Sequence, residues 1–162
     1  MKTSAIILIS ALLALLSSIN TGNESPLEGV WQLESASYTN PDTTFYTDME
    51  EWQQIKVITG DYHVWMGQNP NRDKFTEGGT DAELLAAART FGAGGGAYTI
   101  EGNKYIEHVD YFLNPNFTGT SIEFTYKMEG NDKWIQTGVL PMKSLGLEEY
   151  DLELREVWVR ID

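Results

Sequence analysis

The feature that most constrains the fold is a succession of short segments in which apolar and polar residues alternate. Each segment is bounded by glycine, asparagine, aspartate or proline, the residues that turns require. Alternation with a period of two is typical of strands that bury one face. Eight strands are predicted in this way, at 30–38, 54–59, 62–66, 97–100, 104–113, 121–128, 133–140 and 150–161.

A single short helix is predicted between the third and fourth strands, at 81–89. Thr80 and Glu83 have the spacing of a capping box, in which each side chain accepts a hydrogen bond from the other residue's backbone N–H. The residues that follow are rich in alanine and leucine, which favour helices. The glycine run 92–96 then predicts the end of the helix and a flexible hinge before the next strand.

Eight consecutive strands with mostly short connections predict an all-β fold, an eight-stranded antiparallel up-and-down barrel. Closure into a barrel removes exposed strand edges. The interior of such a barrel is either filled by side chains or left open for one small ligand. A two-sheet β-sandwich is the alternative that the same strand spacing allows.

The hairpin turns predict which side chains share a face. A two-residue turn at Gly60-Asp61 pairs Thr59 with Tyr62, and the more apolar face of that hairpin is expected inside. The turn at Gly102 gives the shared faces of 97–100 and 104–113 in the same way, and alternation along 121–128 gives the apolar face of that strand. Together these faces predict an aromatic interior with one carboxylate. Its predicted ligand-binding residues are Tyr62, Met66, Tyr98, Tyr105, Glu107, Tyr111, Phe124 and Tyr126.

This predicted lining resembles a small-molecule pocket, which needs apolar walls and few polar groups. The expected partner is therefore a small hydrophobic ligand, and a barrel filled solid by its own rings is the alternative. The turn lengths leave the inward faces of 133–140 and 150–161 open. Under the filled-barrel alternative, the chain would be an interaction domain of the cell envelope that uses its acidic loop at 42–51.

Catalysis and metal binding have less support in the residues. His63 and His108 fall on predicted outward faces and are expected to be dispensable, and the chain has no cysteine, so no metal or other cofactor is expected. Glu107 could act as a general acid or base if burial raises its pKa toward neutrality. A cyclase- or isomerase-type enzyme is therefore an alternative, but no second catalytic group accompanies Glu107.

A set of short motifs between residues 29 and 160 resembles the bacterial lipocalin-like domain family, a group of calycin-type barrels. The motifs are Gly29-Val30-Trp31, the helix at 82–89, GAYTI at 96–100, EHVD at 107–110, NPNFTG at 114–119 and Trp158-Val159-Arg160. The resemblance implies a lipocalin-like barrel in which Trp31 closes one end. It also implies that an arginine of the last strand lies over that ring, with Arg160 as the match and Arg155 as the alternative.

The first residues predict export from a bacterial cell. Lys2 precedes an apolar run at 5–16 that is interrupted only by Ser10, and small and polar residues follow, which is the order of a signal peptide. The run is shorter than the roughly 20 residues that a spanning helix needs. We expect a signal peptide over 1–22 and one domain over 23–162. The domain would be periplasmic or secreted, with no membrane span and no cysteine-linked lipid anchor.

The charge of the chain disfavours two classes of partner. Lysine and arginine number 11 against 24 aspartates and glutamates, a formal net charge of −13. Phosphate backbones and anionic lipid surfaces would be repelled by such a protein. Neither nucleic acid nor a membrane surface is therefore an expected partner.

Overall fold

Eight antiparallel strands close into a barrel in the computed structural model of the chain, which describes residues 25–76 and 78–162. The predicted fold class is thereby confirmed, and the β-sandwich alternative is wrong. The predicted signal peptide lies outside the described residues. Among the residues that are described, no helix is both long enough and apolar enough to cross a membrane.

The strands are β1 (Gly29–Thr39), β2 (Thr44–Tyr46), β3 (Gln53–Thr59), β4 (Tyr62–Gln68), β5 (Phe91–Glu101), β6 (Lys104–His108), β7 (Tyr111–Phe112), β8 (Ser121–Glu129), β9 (Lys133–Leu140) and β10 (Leu152–Arg160). The barrel runs in the order β1-β3-β4-β5-β6-β8-β9-β10, and β10 pairs with β1 to close it. Strands β2 and β7 pair with β1 and β5 outside this path. The helix α1 (Asp81–Arg89) lies between β4 and β5, and its predicted capping box between Thr80 and Glu83 is present.

The two ends of the barrel differ in their connections. Tight turns join β3 to β4, β5 to β6 and β8 to β9 at one end, and they carry glycines such as Gly60 and Gly102 at positive φ. Only glycine adopts that backbone conformation without strain. The connections at the opposite end are longer, and one of them contains α1. We call these the closed end and the open end.

The closed end is built around Trp31. Its ring is fully buried, and its Nε1 donates to the carbonyl of Leu27 at 2.7 Å. The guanidinium of Arg160 lies 4.2 Å from the ring centroid and donates to the carbonyls of Glu28 and Asn131. The arginine over Trp31 is thus Arg160, whereas Arg155 is exposed on the outer face of β10.

The glycine run forms the first half of β5, so the expectation of a hinge at 92–96 is wrong. These glycines pair in register with β4, where Gly94 lies opposite Trp65. A Cβ atom on Gly94 would lie 2.7 Å from Phe112 Cδ2 and 2.8 Å from Trp65 Nε1. The glycines of this strand therefore make room for two rings inside the barrel. In the sequence alone, such a run of glycines looks like a turn or a hinge.

We predict that Trp31→Ala lowers the free energy of unfolding by about 3–5 kcal/mol, the usual cost of truncating a buried aromatic ring. The matched control is Gln32→Ala, since Gln32 is the next residue of β1 and is exposed. Chemical denaturation of the three proteins measures the difference. Equal midpoints for the wild type and Trp31→Ala would show that the ring does not support the closed end.

Candidate functional site

The barrel interior contains a cavity of about 420 Å³. Two groups of side chains line most of its wall. Six rings contribute, those of Tyr38, Trp52, Trp65, Phe112, Phe117 and Phe124. Three aliphatic side chains complete the apolar part, those of Ile122, Leu140 and Leu154.

Four nearly inaccessible polar side chains form the base of the cavity, which we call the polar floor. They are Lys56, Glu107, Gln136 and Glu156. Their strands are β3, β6, β9 and β10, so the floor joins different parts of the barrel wall. Buried polar groups of this kind are stable only where they find partners.

Lys56 and Glu107 form the central ion pair of the floor. Lys56 Nζ donates to Glu107 Oε1 at 2.7 Å, and both side chains are almost fully buried. Four rings surround the ammonium, with centroids 4.9–5.9 Å from Nζ; they are Tyr105, Phe124, Trp134 and Trp158. A cation at this distance is attracted to the negative face of an aromatic ring. The lysine charge is thus compensated by a carboxylate and by ring faces.

The pKa of Glu107 is set by two opposing effects. Burial has the largest single effect and raises it, but the positive charge of Lys56 and the hydrogen bond from its ammonium, together with weaker interactions with neighbouring side chains, outweigh burial, and the net pKa lies below the usual value. Glu107 is therefore an ionised carboxylate at neutral pH. This direction is opposite to the one that a general acid working near neutrality needs.

Glu156 is the second carboxylate of the floor. Its Oε2 accepts hydrogen bonds from Gln136 Nε2 at 2.5 Å and from Trp158 Nε1 at 3.1 Å. Gln136 and Glu156 are direct cross-strand partners on β9 and β10. Burial raises the pKa of Glu156, and although Lys56 lowers it, the charge of Glu107 adds to the effect of burial, so the net pKa lies above the usual value.

His63 lies inside the barrel, so its expected outward position is wrong. Its side chain is buried, and Nδ1 lies 3.6 Å from Glu107 Oε1. Burial lowers the pKa of His63 despite the attraction of Glu107. Neither ring nitrogen has a hydrogen-bond partner within the described part of the chain. His108 does lie on the outer face, where its nitrogens are within hydrogen-bond distance of Thr99 and Ser121.

The hairpin of β3 and β4 has the predicted register but the opposite inward face. Thr59 pairs with Tyr62 as expected, yet Tyr62 and Met66 are 62% and 42% exposed, because Lys56 and His63 occupy the interior. The polarity of the two faces therefore gives the wrong orientation for this hairpin. The more polar face lies inside, because its Lys56 forms a buried ion pair with Glu107.

The remaining predicted lining residues fall into three groups. Tyr98, Tyr105, Glu107 and Phe124 are buried in the barrel, but only Glu107 and Phe124 reach the cavity wall. Tyr126 is partly buried against the core. Tyr111 is 77% exposed, so its predicted inward position is wrong.

The position of Tyr111 follows from a break in the predicted strand 104–113. Strand β6 ends at His108, after which Val109 N donates to Thr120 O and Asp110 N donates to Gly95 O. The chain then resumes as β7 with the opposite alternation, and Phe112 lines the cavity instead of Tyr111. Sequence reasoning therefore missed Phe112 as well as Lys56, Gln136 and Glu156.

No group of His, Asp or Glu side chains in residues 25–76 and 78–162 has the arrangement of a metal site. No protein-family model matches the chain, and no curated protein matches it significantly. The cavity and its polar floor are therefore the candidate functional site.

We predict that His63→Gln lowers the free energy of unfolding at pH 7.5 by about 2 kcal/mol, within the range for a disturbed buried polar site. The folded-state pKa of His63 is below the unfolded value, so its contribution is present above pH 6.5 and is lost as pH falls toward the folded-state pKa. The stability difference between wild type and variant should narrow between pH 7.5 and pH 5.5. Urea denaturation at several pH values measures it.

The control for this prediction is His108→Gln, which changes the other histidine on the outer face of the barrel. Its cost at pH 7.5 should be at most about 1 kcal/mol, the value of a typical hydrogen bond. A His63→Gln cost no larger than that of the control, or one that stays constant over the pH range, would contradict the buried neutral state of His63.

Proposed function

We propose that this protein binds a small molecule with a largely apolar body in the cavity at the open end of the barrel. The observation that carries the proposal is a cavity of about 420 Å³ with aromatic walls and a polar floor. Small-molecule sites in proteins have this size, apolar walls and a few placed polar groups that orient the ligand. The proposal agrees with the lipocalin-like character that the sequence motifs lead us to expect.

The barrel is solid in one half and hollow in the other, which supports binding over a purely structural barrel. Trp31, Trp134 and Trp158 are fully buried and pack on one another toward the closed end. Beyond the polar floor, the cavity lies between rings such as Trp65 and Phe112. Well-packed interiors contain few voids larger than a water molecule, so a hollow half is a feature to explain.

We further propose that the protein acts outside the cytoplasm, in the periplasm or after secretion. The support is the order of Lys2, the apolar run 5–16 and the polar residues after it. An extracytoplasmic binding protein of the lipocalin-like type would hold a poorly soluble molecule away from water.

The neutral probe N-phenyl-1-naphthylamine, whose fluorescence rises in apolar surroundings, tests the proposal. We expect saturable binding by the wild type and at least tenfold weaker binding by Thr47→Trp, because Thr47 lines the cavity and an indole ring in its place would occupy it. The control is Thr43→Trp, four residues earlier in the same connection and exposed, which should bind as the wild type does.

Two outcomes would contradict the proposal. One is a wild type that binds no probe. The other is an equal affinity in Thr47→Trp and Thr43→Trp, which would place the probe somewhere other than the cavity.

A further inference from the structure

The polar floor holds two carboxylates but one ammonium. Lys56 is paired with Glu107. In the described part of the chain, no lysine, arginine or histidine nitrogen lies within 4.0 Å of a Glu156 oxygen. With both carboxylates ionised, the floor has one negative charge in excess.

The hydrogen bonds of the floor leave acceptors without donors. Both bonds to Glu156 end on Oε2, and no described residue donates to its Oε1. Gln136 Nε2 donates to that carboxylate, and Gln136 Oε1 is buried without a hydrogen-bond partner among the described residues. Lys56 Nζ, by contrast, uses one N–H to donate to Glu107, and its other N–H groups are surrounded by four ring faces, while Trp158 Nε1 donates to Glu156. A ligand that completes these acceptors must bring N–H or O–H donors.

The walls above the floor suit a positive charge as well as an apolar body. Rings such as Tyr38, Trp65 and Phe112 line the cavity, and aromatic faces attract organic cations. The same interior already surrounds the ammonium of Lys56 with four rings. An anionic head would instead meet Glu156 and a lysine that is already neutralised by Glu107.

We propose that the ligand is an organic cation, a protonated amine on an apolar or aromatic body, whose N–H groups donate to Glu156 Oε1 and Gln136 Oε1. This inference rests on the proposed function and names the chemical class of its ligand. An ammonium offers three donors and one positive charge, which supply the two missing hydrogen bonds and the missing charge.

The electrostatic surroundings of Glu156 agree with the unpaired charge that the ion pairs and hydrogen bonds show. Burial and the charge of Glu107 raise the pKa of Glu156, and Lys56 offsets these effects only in part. The charge of Glu156 also raises the pKa values of Tyr38 of β1 and Tyr105 of β6, and neither side chain adds a positive charge. An ammonium at the floor would offset the unfavourable energy of this second buried carboxylate.

Three indoles of similar shape and different charge test the inference by isothermal calorimetry at pH 7.5 and low salt. Tryptamine carries an ammonium, tryptophol a neutral hydroxyl and indole-3-acetate a carboxylate. We expect tryptamine to bind at least tenfold more tightly than tryptophol, and indole-3-acetate to show no binding.

A charge-removing variant locates the effect. Glu156→Gln keeps an oxygen that can accept from Gln136 and Trp158 but removes the charge, so tryptamine should fall to the affinity of tryptophol while tryptophol changes less than twofold. The control Glu153→Gln removes the same charge from an exposed position of β10 and should leave all affinities unchanged. If Glu156→Gln does not fold, the order in which the wild type binds tryptamine, tryptophol and indole-3-acetate still shows whether the site prefers a cation.

The outcomes separate this inference from the function on which it rests. Equal affinities for the three indoles, tightest binding of indole-3-acetate, or binding of N-phenyl-1-naphthylamine without tryptamine would each overturn the cationic ligand and leave small-molecule binding intact. If neither the naphthylamine nor any indole binds, the proposed function fails and this inference fails with it.

Discussion

The ion pair between Lys56 and Glu107 is the constraint on which the barrel interior depends. The two residues are 51 positions apart, and they meet inside the barrel with almost no access to solvent. Two charges are costly to bury, and loss of one partner would strand the other at a cost of about 3–5 kcal/mol. The pair therefore requires that β3 and β6 face one another with Lys56 and Glu107 inward.

The inward position of Lys56 determines the faces of the neighbouring strands. Side chains alternate along β3, so Ile58 joins Lys56 in the interior, and pairing with β4 brings His63 and Trp65 inside with them. The opposite faces then present apolar side chains such as Val64 to solvent. The glycine positions of β5 follow from the same arrangement, because the ring of Trp65 extends over Gly94.

Local sequence signals predicted the strands and the pairings that depend on short turns. The two-residue turn at Gly60-Asp61 gave the register of β3 and β4, and alternation gave the inward face of β6 and β8. The predicted inward face of β3 is wrong, because polarity alone places Lys56 on the outside. Its partner Glu107 lies on β6, which is distant from β3 in the sequence. Such a contact has no local signature.

The polar floor could be predicted only in part for a related reason. Glu107 was recognised because it interrupts an apolar face, but Gln136 and Glu156 lie on strands whose alternation fits either face. Two neighbouring residues identify the inward faces of these strands. Trp134 and Trp158 pair across β9 and β10, and they share the interior with Gln136 and Glu156. The break after His108 arises from hydrogen bonds to β5 and to Thr120, which alternation does not encode.

A crystal structure of the protein soaked with tryptamine tests most directly whether the hollow half of the barrel is a site for organic cations. We predict the indole ring between the aromatic walls and the amine nitrogen about 3 Å from the side-chain oxygens of Glu156 and Gln136, a normal hydrogen-bond distance. Tryptamine bound only on the outer surface, or a cavity filled by side chains from the open-end connections, would contradict this account.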